Sequence, residues 1–149
     1  MRRALSIIIA AVLGALLFSI AWEGIDYVNS TARDRQRVSD AKVLRNALAR
    51  HRNAVGKYPA PFQDADVFLL KDSLVSRNLL NKIPQDPLWA GTGKNYRYIS
   101  LDGDTYAIWV HIERAHGTLS AGGNCLIGVG FGDTGWYGFG GKEPPECPF

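Results

Sequence analysis

The sequence predicts an α+β fold: a long amino-terminal helix, membrane-spanning and then amphipathic, packed on a small antiparallel β-sheet, with a disulfide-pinned carboxy-terminal loop. Three observations predict it. Residues 4–22, ALSIIIAAVLGALLFSIAW, are apolar or small without a single charge. Further on, Val38, Ala41, Leu44, Leu48, His51 and Val55 advance by threes and fours, the spacing of one helical stripe. Finally, YRYISLDGDTYAIWVHIE alternates on either side of an Asp-Gly pair, the pattern of a β-hairpin.

The chain has 149 residues, room for one domain and a terminal segment, and a hydrophobic fraction of 46% that suffices for a core. Its formal charge is only +3, but residues 33–52 hold seven Lys or Arg against two Asp, so the basic character belongs to the helix. Residues 1–29 are assigned to a membrane anchor with its juxtamembrane helix, and residues 30–149 to a globular head.

At about 1.5 Å per residue, the run over 4–22 just spans a hydrocarbon core of about 30 Å. Two readings compete for it. Arg2 and Arg3 ahead of an apolar run, with Ser19 and Ala21 near its end, also fit a cleavable signal peptide; the run exceeds the usual h-region of about 7–15 residues, which favours an uncleaved anchor. Either reading exports the chain beyond Glu23. Trp22 and Tyr27 suit the interfacial belt. The expected layout is a single membrane pass with the head on the exported side.

Residues 23–38 contain no proline, and Gly24 is their one strong breaker, so a nearly continuous helix is expected over 4–55. Arg45, Arg50 and Arg52 fall off the apolar stripe. Gly56 can adopt the left-handed conformation that closes a helix, and Pro59 cannot continue one. Over 60–82, Val67, Leu70, Leu74 and Leu79 recur at helical spacing and predict a second, helix-like segment. The IPQDPLWAGTGKN stretch reads as a loop, with Pro84 and Pro87 fixing two φ angles and Asp86 accepting nearby backbone amides.

In the hairpin, a two-residue turn at Asp102-Gly103 sets Ile99 opposite Tyr106 and Leu101 opposite Asp104. Ile99, Leu101, Tyr106, Ile108, Val110 and Ile112 then share the face that covers Val38, Ala41, Leu44, Leu48 and Val55 of the helix, while Tyr96, Tyr98 and Trp109 take the other. From Ala115 onward glycine dominates, and residues 125–129 are the one expected strand. Cys125 and Cys147 lie in this tail. A bridge between them would close a loop of about 20 residues, and free thiols are the alternative; two cysteines without a nearby His do not make a zinc site.

Taken together, the apolar-then-amphipathic helix, the DAKVLRNALARHRNAVGKYP segment, the IPQDP loop, the tyrosine-rich hairpin and the terminal cysteine pair resemble the type IV pilin and type II secretion pseudopilin family, with a head of the major-pseudopilin type. Gly56, Tyr58, Pro59, Pro84, Asp86 and Pro87 carry the motif part of the likeness. Arg2-Arg3-Ala4 precedes the apolar run and Glu23 lies beyond it, so no prepilin-peptidase processing residue is carried over.

The resemblance implies a pilin-like structural or assembly subunit of a type II secretion or type IV pilus-related envelope system, without enzymatic activity. Its partners would be inner-membrane lipid and other pilin-like subunits or secretion-system components. The alternative is a membrane-anchored or secreted, adhesin-like binding module that enters no filament.

Chemical signals are sparse. His111, Glu113 and His116 lack the spacing of a zinc helix and read as surface residues. Calcium is weighed at Asp102, Asp104 and Asp133, but a hairpin turn explains the first two without an ion, so no cofactor is expected. No nucleophile, phosphate-loop or dinucleotide motif occurs, and no small-molecule substrate is expected. The exposed cations of the helix read as a solvated face rather than a nucleic-acid surface.

Overall fold

The computed structural model describes residues 2–115, 119, 121–129 and 147, with helix side chains described from residue 8 onward. Helix α1 (Arg2–Val55) runs without a break through Gly24. The chain divides into two compact units, Met1–Ala32 and Arg33–Phe149, and the boundary falls within α1. In the first unit the large apolar side chains stand exposed, among them Ile8, Leu13, Leu17, Phe18 and Trp22. α1 is the one described helix long and apolar enough to cross a membrane, with a mean hydropathy of 2.1 over its best window.

The second unit is an α+β head. Four strands, β1 (Phe62–Asp66), β2 (Arg97–Ser100), β3 (Tyr106–His111) and β4 (Asn124–Val129), form one antiparallel sheet in the order β1-β2-β3-β4. Val38, Ala41, Leu44, Ala47 and Leu48 of α1 share a single core with Tyr96, Tyr98, Tyr106, Ile108, Val110, Ile112, Cys125 and Ile127 of the sheet side. The stripe and the strand alternation thus meet face to face, as their periods require.

The hairpin register differs from the expected one. Tyr98 pairs with Ile108 and Ile99 with Ala107, one residue out of the two-residue-turn alignment. Asp102 Oδ1 accepts the Asp104 and Thr105 amides at 2.9 and 3.4 Å, and Ser100 Oγ donates to the Thr105 carbonyl at 2.7 Å. These bonds build a longer connection over 101–105. Because side chains alternate with period two, a slip of one residue exchanges faces. Tyr96 and Tyr98 therefore enter the core, Ile99 lies buried on the opposite face and Leu101 is half exposed in the connection. Tyr106, Ile108, Val110 and Ile112 keep the face expected of them.

Val55 is the other core position to be corrected, at 48% exposure. Gly56, at φ +89°, turns the chain back immediately after it, so Tyr58 rather than Val55 closes this end of the core, its ring 4.5 Å from that of Tyr106. The segment over 60–82 is only partly helical. It begins with strand β1, then a 3-10 turn (Val67–Leu70) capped by the Asp66 carboxylate, then a short helix α2 (Lys71–Leu74). Val67, Leu70 and Leu74 are fully buried, so the helical spacing marked the inward face although the first part became a strand. After the 83–88 loop a further short helix, α3 (Trp89–Thr92), precedes β2.

Cys125 and Cys147 form a disulfide with Cα atoms 4.9 Å apart, and the Cys147 amide donates to the Leu126 carbonyl at 3.1 Å. That bridge ties the end of the chain to strand β4. His116 and Asp133 lie outside the described residues.

Candidate functional site

Two junctions fasten the helix of the head to the loops and strands packed on it. One is at the helix end. Gly56 N–H donates to the Arg52 carbonyl at 2.7 Å, closing α1, and His51 Nδ1 lies 3.0 Å from the Lys57 carbonyl oxygen. Tyr58 N–H donates to Gly103 O at 2.8 Å, and Tyr98 Oη donates to the Pro59 carbonyl at 3.0 Å. Gly103 has φ +81°, and a Cβ there would stand 2.9 Å from the Tyr58 carbonyl oxygen. The Gly56-Lys57-Tyr58-Pro59 stop and the hairpin connection are thus built against each other, and only glycine fits position 103. Arg52 lies over the Tyr58 ring at 5.1 Å.

The other junction is a buried charge network on the same helix. Arg37, 1% exposed, donates to Asp86 Oδ2 at 2.6 Å, to Asp34 Oδ1 at 2.9 Å and to Glu113 Oε1 at 2.6 Å. Arg33 completes it with a two-pronged contact to Glu113 at 2.8 and 2.5 Å. The fully buried Asp34 carboxylate also accepts the Glu113 and Arg114 backbone amides, each at 2.9 Å. A planar guanidinium with five donors suits this role, because three carboxylates can surround it with every donor in plane. The Arg33 hydrogen bond, aided by Arg37 and opposed by burial, draws the Glu113 carboxyl down to about 2.

Asp86 of the IPQDP loop is the hub on the loop side. Its carboxylate takes both Arg37 bonds and the Leu88 amide, while its own amide donates to Asn95 Oδ1 at 3.0 Å. Pro84 and Pro87 flank it, each half-buried. The motif residue Asp86 therefore fastens the loop to the helix rather than to its own backbone alone.

The sequence does not predict the network: it reads Arg37 among the cations of the basic helix and Glu113 as a surface residue. A usable signal was present: Asp34 and Arg37 continue the Val38, Ala41, Leu44 stripe backward, so their spacing points inward. Glu113 is committed to the two arginines, while His111 contacts Asn124 Oδ1 through Nδ1 at 3.2 Å. Among the described residues no group of three His, Cys, Asp or Glu is arranged to hold a metal.

A third feature lies between α1 and the 80–90 segment. A cavity of about 560 Å³ is lined by Gln36, Asp40 and Val43 on the helix side and by the proline loop and Trp89 on the other. Tyr96 Oη donates to Asp40 Oδ2 at 2.9 Å. Burial, reinforced by the Asp40 charge, raises the Tyr96 hydroxyl far above its ordinary range, so it stays a donor. Comparison with protein-family models, curated proteins and solved structures finds no match for this chain.

Proposed function

We propose that the chain is a pilin-like structural or assembly subunit, anchored in the bacterial inner membrane, of a type II secretion or type IV pilus-related envelope system. One observation carries the reading. The same helix that exposes Ile8, Leu13, Leu17 and Phe18 all round its first part supplies, further along, the stripe that backs a four-stranded antiparallel sheet. A uniformly apolar helix is stable in lipid and, once out of it, needs other helices around it. The head has the complementary property of a self-sufficient core, locked at the GKYP junction, at the Arg37 network and by a disulfide that suits an oxidising compartment.

The test uses single cysteines placed at Leu13 or Leu17 in the full chain, expressed in bacteria and crosslinked with a short bifunctional thiol reagent. Carbonate-resistant membrane retention together with a ladder of crosslinked multimers is the expected result. Monomers alone, in the presence of all its cellular partners, would sink the subunit reading and leave the anchored binding module.

A further inference from the structure

The cavity between α1 and the proline loop carries polar groups that neither junction fastening the head uses. Asp86, at its inner edge, is fully engaged by Arg37 and the Leu88 amide. Asp40 is not. Only its Oδ2 is bonded, to Tyr96, and its half-exposed carboxylate faces the cavity. Gln36, Asn81 and Gln85 add side-chain amide oxygens around the same space, and no protein hydrogen bond occupies them among the described residues. Trp89 forms the far wall, its indole 5.8 Å from the Phe68 ring in an edge contact. Among the described residues Lys82 is the one cation lining the cavity; it is exposed, and its charge acts on Asp40, so a bound guanidinium would have to outcompete it.

From this arrangement we infer that the cavity binds an alkylguanidinium group, with Asp40 as the counter-ion and Trp89 as the stacking wall. The volume lies within the range of small-ligand sites. A guanidinium offers five coplanar donors and a flat face, which match a carboxylate oxygen, several amide oxygens and an indole. An ammonium uses the carboxylate but not the planar set. Burial raises the Asp40 carboxyl above its usual range, and a bound cation would reverse that shift.

The experiment uses the full chain in detergent micelles, following the Trp89 indole N–H and the Asp40 carboxyl by NMR. The four tryptophans give four indole signals, and the Trp89→Leu variant identifies the relevant one. Three probes are titrated: n-butylguanidinium as a free cation, the blocked peptide acetyl-Gly-Arg-Gly-amide as a protein-borne one, and the same peptide with citrulline as the neutral isostere. Both cations are expected to move the Trp89 signal and lower the Asp40 pKa, with citrulline at least about tenfold weaker. Tighter binding of n-butylguanidinium assigns the site to a free small molecule, and tighter binding of the peptide to an arginine of a partner protein.

Asp40→Asn should weaken cation binding by about tenfold or more and Trp89→Leu by about threefold or more. Gln36→Ala, at an exposed helix position, checks the amide set without touching the Tyr96 bond. Equal binding of citrulline, or no response to either cation at 10 mM (about the limit for a specific site), overturns the inference.

Discussion

The two stretches of α1 are both rich in apolar residues and use them in opposite ways. Leu17 is 68% exposed, whereas Leu48 is fully buried on the one stripe that meets the sheet. In the first stretch no direction around the helix is polar, so the surroundings themselves must be apolar. In the second, the buried stripe is flanked mainly by polar and charged residues, with Val43 and Val55 exposed among them, so one face is enough. Periodicity, not apolar content, separates a segment solvated by lipid from one solvated by its own protein.

The largest effect expected from breaking the contrast is at Arg37, where the buried stripe carries a charge. Arg37→Ala leaves the buried Asp34 carboxylate without its ion-pair partner and should lower head stability by about 3–5 kcal/mol in denaturant unfolding. Leu44→Ala, in the same stripe, should cost about 2–5 kcal/mol from lost burial and the cavity left behind. Leu13→Ala should change head unfolding by less than about 0.5 kcal/mol, since that side chain is 55% exposed. Leu13→Arg reverses the order of importance: membrane insertion should weaken by about 3 kcal/mol while the head melts normally, as a glycosylation-based insertion assay and a thermal scan would measure together. If both leucine truncations destabilise the head equally, the contrast is lost.

Reduction of Cys125–Cys147 should cost about 3 kcal/mol, the chain-entropy value for a separation of 22 residues, read from unfolding with and without reductant. A further effect concerns acid. The Glu113 carboxyl is held at about 2 against its usual 4.5, so its contribution is complete above about pH 4.5 and is lost as the pH falls toward 2. In Glu113→Gln the stability-against-pH curve should flatten across that window, and an unchanged slope would remove Glu113 from the network.

Much of the head was legible because it depends on local periods. The α1 stripe from Val38 to Leu48 and the β3 alternation follow from spacing and residue type, whereas the sequence alone leaves Cys125 and Cys147 as a bridge or two free thiols, and the structure joins them. What escaped depended on contacts distant in sequence. The hairpin register turned on whether Asp102 would take backbone amides, a choice favoured once Gly103 packs on Tyr58, 45 residues away. Strand β1 was hidden because Val67, Leu70 and Leu74 spaced themselves helically, while the strand before them holds Gln63 and Asp66 and gains its place by pairing with β2. The arginine–carboxylate network was hidden because charge suggests solvent until a partner is known.

The Asp34 and Arg37 contacts also set a schedule. Arg37 meets Glu113 across 76 residues and Asp34 meets the Arg114 amide across 80. At elongation speeds of roughly 5–20 residues per second, the helix waits about 4–16 s after its own synthesis before these partners exist. During that interval its most deeply buried cation has only Asp34, three residues away, and water. The head can therefore close around Asp34 and Arg37 only after residue 114 has been made, long after the apolar stretch that precedes them in the chain.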